Sequence, residues 1–199
     1  MIIWLASYPK SGNTLLRSIL ATYFYSNDVD FKFKHLYKIG QFPAVEHFEN
    51  LGIDTSKEEE IFKNFIEAQT QINAVDRRFK FFKTHSSMCK INGCNFTDLN
   101  NTLGVIYIVR DPRNVVTSFA NHFHMSIDDA TDTMINENKF LIKSDLLHRT
   151  FLGSWKFNFN SWKSFKLPKK YLLIKYEDLI NNRELIFLKI LTFINKLSR

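Results

Sequence analysis

Apolar residues fall into two patterns along the chain, short continuous runs and longer stretches with helical spacing. A continuous run of this length predicts a strand that is buried on both faces. The clearest one covers residues 103–109. The others are the opening run from Ile2, which breaks at Tyr8-Pro9, and the runs 79–82 and 171–174. These runs predict the strands of one sheet.

Between the runs, apolar residues recur every three or four positions, which predicts amphipathic helices. One helix is expected to begin at Ser56, because Ser56-Lys57-Glu58-Glu59 fits a capping box, and its apolar side is expected to reach from Ile61 to Ile72. Strands that alternate with helices predict an α/β fold, a three-layer sandwich in which helices cover both faces of a mainly parallel sheet. The remaining helices are expected over 14–24, after Pro112, and over 127–136, 141–165 and 183–196.

Polar residues follow each predicted strand at the point where it ends. They are Lys10 after the first strand, Lys83-Thr84-His85 after the next, and then Arg110 and Tyr176. Parallel strands bring their carboxyl ends to one edge of a sheet, where α/β proteins bind their ligands. We therefore expect these four positions to share one site.

The turn after the first strand carries Lys10, Ser11, Gly12, Asn13 and Thr14. A strand that turns through small residues into a helix points backbone N–H groups at one spot, where the helix dipole adds positive charge. Lys10 adds a full charge, so the turn predicts an anion cradle of the kind that holds phosphate. It is not a Walker A motif, which needs a second glycine and a lysine after it.

Composition narrows the classes of protein that fit. The chain has 199 residues, 45% of them hydrophobic, which predicts one globular domain over 1–199. Its net charge of +7 suits an anionic ligand, and no aromatic-basic motif points to nucleic acid. No apolar run reaches membrane-spanning length and no signal peptide precedes the first strand, which predicts a cytoplasmic protein. Cys89 and Cys94 are expected to be reduced thiols, although a disulfide between them is possible.

Several motifs together resemble the sulfotransferases that use 3′-phosphoadenylyl sulfate (PAPS), a family with a P-loop nucleotide hydrolase-like fold. The segment from Pro9 to Thr14 resembles the family's 5′-phosphosulfate loop, and the segment 109–118 resembles its 3′-phosphate-binding segment. Lys83-Thr84-His85 and Tyr176-Glu177-Asp178-Leu179 match two further motifs in the correct order, and Gly153-Ser154-Trp155 is a weaker match.

The resemblance implies a role for each matching residue. The backbone amides from Ser11 to Leu15 hold the 5′-phosphosulfate, Arg110 and Ser118 hold the 3′-phosphate, and Tyr176 approaches the adenine. His85 is the general base for a small alcohol or phenol acceptor, because an imidazole titrates near neutral pH. Lys10 and Lys83 stabilise the negative charge that develops in the reaction, so no metal is required.

The chain departs from the family pattern at three places. Leu15 stands where many members have a tryptophan that stacks on adenine. The region 27–78, an expected insertion on the acceptor side, matches no family motif. The sequence also lacks the Gly-rich Arg-Lys-Gly segment that closes over the 3′-phosphate in the family, so the chain is expected either to be a fragment or to hold the cofactor with fewer contacts. The family's dimerisation sequences belong to the same missing part, which leaves the oligomeric state open.

Two other functions fit the same residues. A P-loop phosphotransferase would require Mg²⁺ and would place a loop Ser or Thr on the metal. A non-catalytic module would bind PAP, the product 3′-phosphoadenosine 5′-phosphate, without turnover. The acceptor itself is not encoded in any motif of the sequence.

Overall fold

The computed structural model describes residues 1–26, 31–75, 78–164 and 170–197. Its strands are β1 (Ile2–Ala6), β2 (Gly40–Gln41), β3 (Lys80–Thr84), β4 (Lys90–Ile91), β5 (Cys94–Asn95), β6 (Thr102–Val109), β7 (Phe140–Leu141), β8 (Thr150–Phe151) and β9 (Tyr171–Lys175). Its α-helices are α1 (Asn13–Tyr25), α2 (Glu58–Lys63), α3 (Phe65–Ala74), α4 (Pro112–Phe123), α5 (Ile127–Ile135), α6 (Trp155–Lys163), α7 (Tyr176–Asn181) and α8 (Arg183–Leu197). Short 3₁₀ helices lie at Phe33–Lys38, Val45–His47 and Glu49–Leu51.

The central sheet has five parallel strands in the order β2-β3-β1-β6-β9. After β1 the chain continues to β2 at one edge of the sheet, and after β6 it adds β9 at the opposite edge. The boundary between β1 and β6 is therefore the topological switch point, where an open α/β sheet forms its ligand crevice. The predicted fold class is confirmed. Two small antiparallel pairs, β4-β5 and β7-β8, lie outside the sheet.

Alternate residues of β1 enter opposite cores, because successive side chains of a strand point to opposite faces. Ile3 and Leu5 pack with residues of α1 and α8, such as Leu20 and Ile190. Trp4 lies on the other face in a cluster that α2, α3 and α6 complete. Both faces of the sheet are thus covered, which explains why β1, β6 and β9 are apolar along most of their length.

The expected helix over 141–165 is confirmed only at α6 (Trp155–Lys163), and the part before Trp155 is wrong. Strand β8 lies within this range, and helix α6 begins only at Trp155. Backbone groups of the range bond to a distant loop instead of forming helical turns, since His148 N donates to Pro43 O at 3.0 Å and Leu146 O accepts from Val45 N at 3.0 Å. Residue 165 lies outside the described residues.

The capping box at Ser56 is also wrong. The Ser56 hydroxyl donates to Asp54 Oδ1 at 2.5 Å, and Lys57 takes the N-cap position of α2 without a side-chain bond. Where one helix was expected, the structure has two, α2 and α3, with Asn64 between them. The side-chain amide of Asn64 donates to Glu60 O at 2.8 Å. Parts of the expected insertion, residues 27–30 and 76–77, lie outside the described residues.

Two further observations concern the expected class of protein. Cys89 and Cys94 are free thiols, as expected. Within the described ranges, no helix has both the length and the apolar character that crossing a bilayer requires.

Candidate active site

The ends of the central strands enclose a cavity of about 540 Å³. Each predicted polar cluster contributes to its wall, so the expected convergence at the sheet edge is observed. Of the predicted site residues, those that line the cavity are Lys10, Gly12, Asn13, Thr14, Lys83, His85, Arg110, Ser118 and Tyr176.

The turn between β1 and α1 has the geometry of an anion cradle. Lys10 (φ 66°) and Gly12 (φ 98°) both adopt left-handed backbone conformations, which reverse the chain sharply before α1 begins at Asn13. Leu16 N donates to Gly12 O at 3.2 Å and closes the first helical turn. The amides before Leu16 therefore have no intrahelical acceptor, as at any helix start.

Ser11 and Leu15, two predicted binding residues, do not line the cavity with their side chains. Ser11 is 1% exposed, and its hydroxyl has no hydrogen-bond partner among the described residues. Leu15 packs against the apolar core beneath the sheet. Neither residue lines the cavity, so only the position of their backbone amides at the start of α1 supports a contact with a ligand.

Arg110 joins three parts of the site. Its Nη1 donates to Lys10 O at 3.2 Å, and its guanidinium carbon lies 4.6 Å from the centroid of the Tyr176 ring. Its buried Nε has no acceptor within the part of the chain that the structure describes. Ser118, two turns along α4, lines the same cavity. A buried, unpaired donor beside an open cavity indicates a position for an anionic ligand.

His85 has a defined tautomer. Its Nδ1 lies 2.7 Å from Ser7 O, and a carbonyl oxygen can only accept, so Nδ1 carries the proton and Nε2 has the free electron pair. Burial, together with the positive charges of Lys83, Arg17 and Lys10, holds the pKa of His85 well below its usual range. The imidazole is therefore neutral at physiological pH and can accept a proton.

Lys83 lies two residues before His85, and its ammonium group is held by a residue of the edge strand β2. Its Nζ donates to Gln41 Oε1 at 2.8 Å. Burial and the charge of Arg17 lower the pKa of Lys83 to about 8. Lys83 is thus a cation near neutral pH that loses its charge more easily than an exposed lysine.

The cavity is strongly electropositive. Lys10, Lys83 and Arg110 line it, and none of the described lining residues is Asp or Glu. Such a wall, with amides at a helix start and an unpaired guanidinium Nε, fits a ligand that carries more than one negative charge. In the described ranges, no group of three or more His, Cys, Asp and Glu residues is placed to bind a metal ion.

Comparison with known proteins identifies the family. The model of the family described as "Sulfotransferase domain" matches residues 2–198. The chain belongs to the sulfotransferase family. A 3-beta-hydroxysteroid sulfotransferase from Cavia porcellus is 29% identical over 93 residues, which are 46% of this chain and 31% of that protein.

Solved sulfotransferase structures share the fold. A mouse sulfotransferase complexed with PAP has a TM-score of 0.58 and 20% identity, and the match covers 98% of this chain and 58% of that one. Retinol dehydratase in complex with androsterone and the inactive cofactor PAP has a TM-score of 0.55 and 17% identity, over 97% and 59% of the two chains. The chain therefore spans less than two thirds of the length of these relatives.

Sequence reasoning missed one wall of this sulfotransferase cavity. His122 and Phe123 follow Ser118 on α4, and His122 is one helical turn further on, so the i, i+4 spacing was a usable signal. The other missed residues come from β2, the loop after it and the segment from β7 to β8, where the expected structure was absent or wrong. They are Gln41, Phe42, Leu141, Leu147 and Thr150.

Proposed function

We propose that this sulfotransferase-family chain transfers the sulfuryl group of PAPS to the hydroxyl of a small alcohol or phenol. The observation that carries the proposal is the neutral imidazole of His85, which has its proton on Nδ1 beside a cavity lined by Lys10, Lys83 and Arg110. A base among cations is the arrangement that a negatively charged donor and a hydroxyl acceptor require.

The donor is held at both ends. Lys10 and the amides from Ser11 to Leu15 bind the 5′-phosphosulfate, because unpaired amides at a helix start favour an anion. Arg110 and Ser118, which both line the cavity, bind the 3′-phosphate. Tyr176, whose ring lies under Arg110, contacts the adenine in this proposal.

The transfer step uses the remaining polar groups. When bound, PAPS supplies an activated sulfuryl group on a phosphosulfate anhydride. His85 Nε2 takes the proton of the acceptor hydroxyl as the acceptor oxygen bonds to sulfur and the bond from sulfur to the bridging oxygen breaks, with PAP as the leaving group. The hydrogen bond from Nδ1–H to Ser7 O at 2.7 Å favours the resulting imidazolium, and the negative charge of the bound donor offsets the lysine charges that disfavour it. Lys83 and Lys10 stabilise the charge that develops on the sulfonate and on the bridging oxygen.

Part of the cavity wall is apolar, and we assign the acceptor to this part. Phe42, Phe123, Leu141 and Leu147 line it. Retinol dehydratase binds androsterone or retinol together with PAP. An apolar alcohol or phenol therefore fits this wall better than a polyol does.

Calorimetry and a transfer assay test the function together. We expect PAP to bind at least tenfold more tightly than ADP or AMP, since a charge-assisted hydrogen bond contributes about 1.5–3 kcal/mol. We also expect PAPS-dependent sulfation of apolar alcohols or phenols that persists in EDTA. Loss of activity in EDTA would favour the Mg²⁺-dependent phosphotransferase. PAP binding without turnover against a broad acceptor panel would favour the non-catalytic module.

The remaining expectations stay predictions of this proposal. They are a cytoplasmic location, a single domain, no nucleic-acid partner and a reaction that needs no metal. Fractionation of cells and chelation of the purified protein test the first and the last of them.

A further inference from the structure

The side chain of Asn13 is turned away from solvent and back towards the end of β1. It is 5% exposed, and its Nδ2 donates to Leu5 O at 2.9 Å and to Ser7 Oγ at 3.1 Å. Because the Leu5 carbonyl can only accept, the orientation of the amide is fixed. The Asn13 side chain therefore connects the start of α1 to Leu5 and Ser7, which precede the anion cradle in the chain.

Ser7 in turn holds the imidazole of His85 with two atoms. Its carbonyl oxygen lies 2.7 Å and its Oγ lies 3.2 Å from His85 Nδ1. Its backbone N–H donates to Thr84 O at 3.3 Å, next to His85 in the chain. Since Ser7 Oγ also accepts from Asn13, three side chains form one continuous chain of contacts.

We propose that Asn13 is a positioning residue for His85, which acts through Ser7 to hold the imidazole with its proton on Nδ1 and with Nε2 open. The inference rests on the proposed role of His85 as the base. It assigns a function to the Asn13 side chain that is separate from the phosphate-binding role of its backbone amide.

The physical reason is that a base must present the correct nitrogen. An imidazole without a fixed partner distributes its proton between both nitrogens, and only the molecules with the proton on Nδ1 can accept one at Nε2. A displaced ring also loses rate, because a misplacement of about 1 Å costs up to roughly 100-fold. Loss of the Asn13 amide frees the Ser7 hydroxyl, so that the Ser7 carbonyl that selects the tautomer is held only by the main-chain bond to Thr84.

Asn13→Ala is the direct test. We expect kcat to fall about tenfold while PAP affinity stays within about threefold, because the backbone amides that bind phosphate remain. The second readout is independent of activity. Long-range ¹H–¹⁵N spectra of the ligand-free protein report the tautomer of each histidine, and His85→Gln assigns the signal of His85.

Wild-type protein should show His85 with its proton on Nδ1, and Asn13→Ala should show a mixture of both tautomers. Asn73→Ala is the matched control, because Asn73 is a half-buried helix residue whose amide donates to Asn101 Oδ1 at 2.9 Å, outside the cavity. It should leave the His85 signal and kcat unchanged. An unchanged Nδ1–H tautomer in folded Asn13→Ala would overturn the inference.

Variants of Ser7 decide the case if Asn13→Ala does not fold. Ser7→Ala removes the atom through which Asn13 reaches this residue, so it should also mix the tautomers, and Ser7→Thr should restore the wild-type spectrum. An unchanged spectrum in Ser7→Ala would count against the positioning role. A tautomer mixture with unchanged kcat would support the positioning of the ring but contradict the proposed base, so the two failures are distinct.

Discussion

Arg110 lies across the ring of Tyr176, with its guanidinium carbon 4.6 Å from the ring centroid. Arg110 follows β6 and Tyr176 follows β9, so this contact joins two neighbouring strand ends. A bond of 3.2 Å from Arg110 Nη1 to Lys10 O adds the end of β1. The guanidinium is thus held in place before any ligand binds, which reduces the entropy cost of binding.

Arg110→Ala should weaken PAP binding about 10–100-fold, because it removes a charge-assisted hydrogen bond to the 3′-phosphate. AMP lacks that phosphate, so its affinity should fall less than threefold by the same reasoning. Isothermal titration calorimetry with both nucleotides measures the difference. Arg113→Ala is the control, because Arg113 lies at the same helix start but is exposed and pairs with Asp111. Equal losses for PAP and AMP would show that Arg110 does not bind the 3′-phosphate.

Gly12→Ala should destabilise the protein for two separate reasons. Its backbone conformation (φ 98°) disfavours side chains, and an added Cβ would collide with the ring of Tyr176. Gly52→Ala isolates the first effect, because Gly52 (φ 66°) has no atom within 4 Å of an added Cβ. Strain alone costs about 1–3 kcal/mol of stability. Each kcal/mol lowers the Tm of a domain of this size by roughly 2–4 °C.

Thermal unfolding of both variants and of Gly12→Ala/Tyr176→Ala separates the two effects. We expect Gly12→Ala to lower Tm more than Gly52→Ala does. Compared with Tyr176→Ala alone, which accounts for the lost packing of this ring against the core, the double variant should show only the strain. Equal shifts for the two single variants would mean that Tyr176 moves aside at no cost.

The sequence predicted four of the five strands of the central sheet, all except β2, because these four are covered on both faces. Residues such as Ile3 and Trp4 lie in opposite cores, so β1 has no polar face that would make its pattern ambiguous. The predicted strands also predicted that Lys10, Lys83, His85 and Arg110 lie close together, because the carboxyl ends of parallel strands lie at the same edge of a sheet. This part of the site depends on local pattern and on one rule of topology.

The rest of the site depends on contacts between distant segments, which no local pattern encodes. Leu147 reaches the cavity because its segment pairs with the loop after β2, where Ala44 and Leu147 form an isolated bridge. Gln41 lies in a strand of only two residues, too short for a periodic signal. The Asn13 side chain lies behind the anion cradle, and only its bonds to Leu5 and Ser7 show what it contacts.

His85→Gln should lower kcat about 10²–10⁴-fold, the usual contribution of a general base. PAP affinity should stay within about threefold, because the residues that bind phosphate are unchanged. Steady-state kinetics and calorimetry give the two values. His124→Asn is the control, because His124 is exposed, lies outside the cavity and has a left-handed conformation (φ 53°) that Asn tolerates. A His85→Gln rate close to that of the wild type would exclude the imidazole as the base.

The pH dependence of kcat/KM for PAPS should follow from two residues of the free protein. His85 must be neutral, and its pKa lies well below the usual range because of burial and the charges of Lys83, Arg17 and Lys10. The acid limb should therefore lie below pH 6.5, the ordinary histidine value. Lys83 must be charged, and its pKa of about 8 places the alkaline limb there, with kcat/KM falling as the pH rises.

Lys83→Arg identifies the alkaline limb, because a guanidinium keeps its charge over the whole accessible range. The limb near pH 8 should disappear in this variant, whatever its absolute rate. In wild-type protein the limb of kcat should lie at higher pH than that of kcat/KM, since bound anions favour the charged ammonium. A limb near pH 8 that persists in Lys83→Arg would assign it to another group, such as a phenolic acceptor, and would remove Lys83 from the charge-stabilising role.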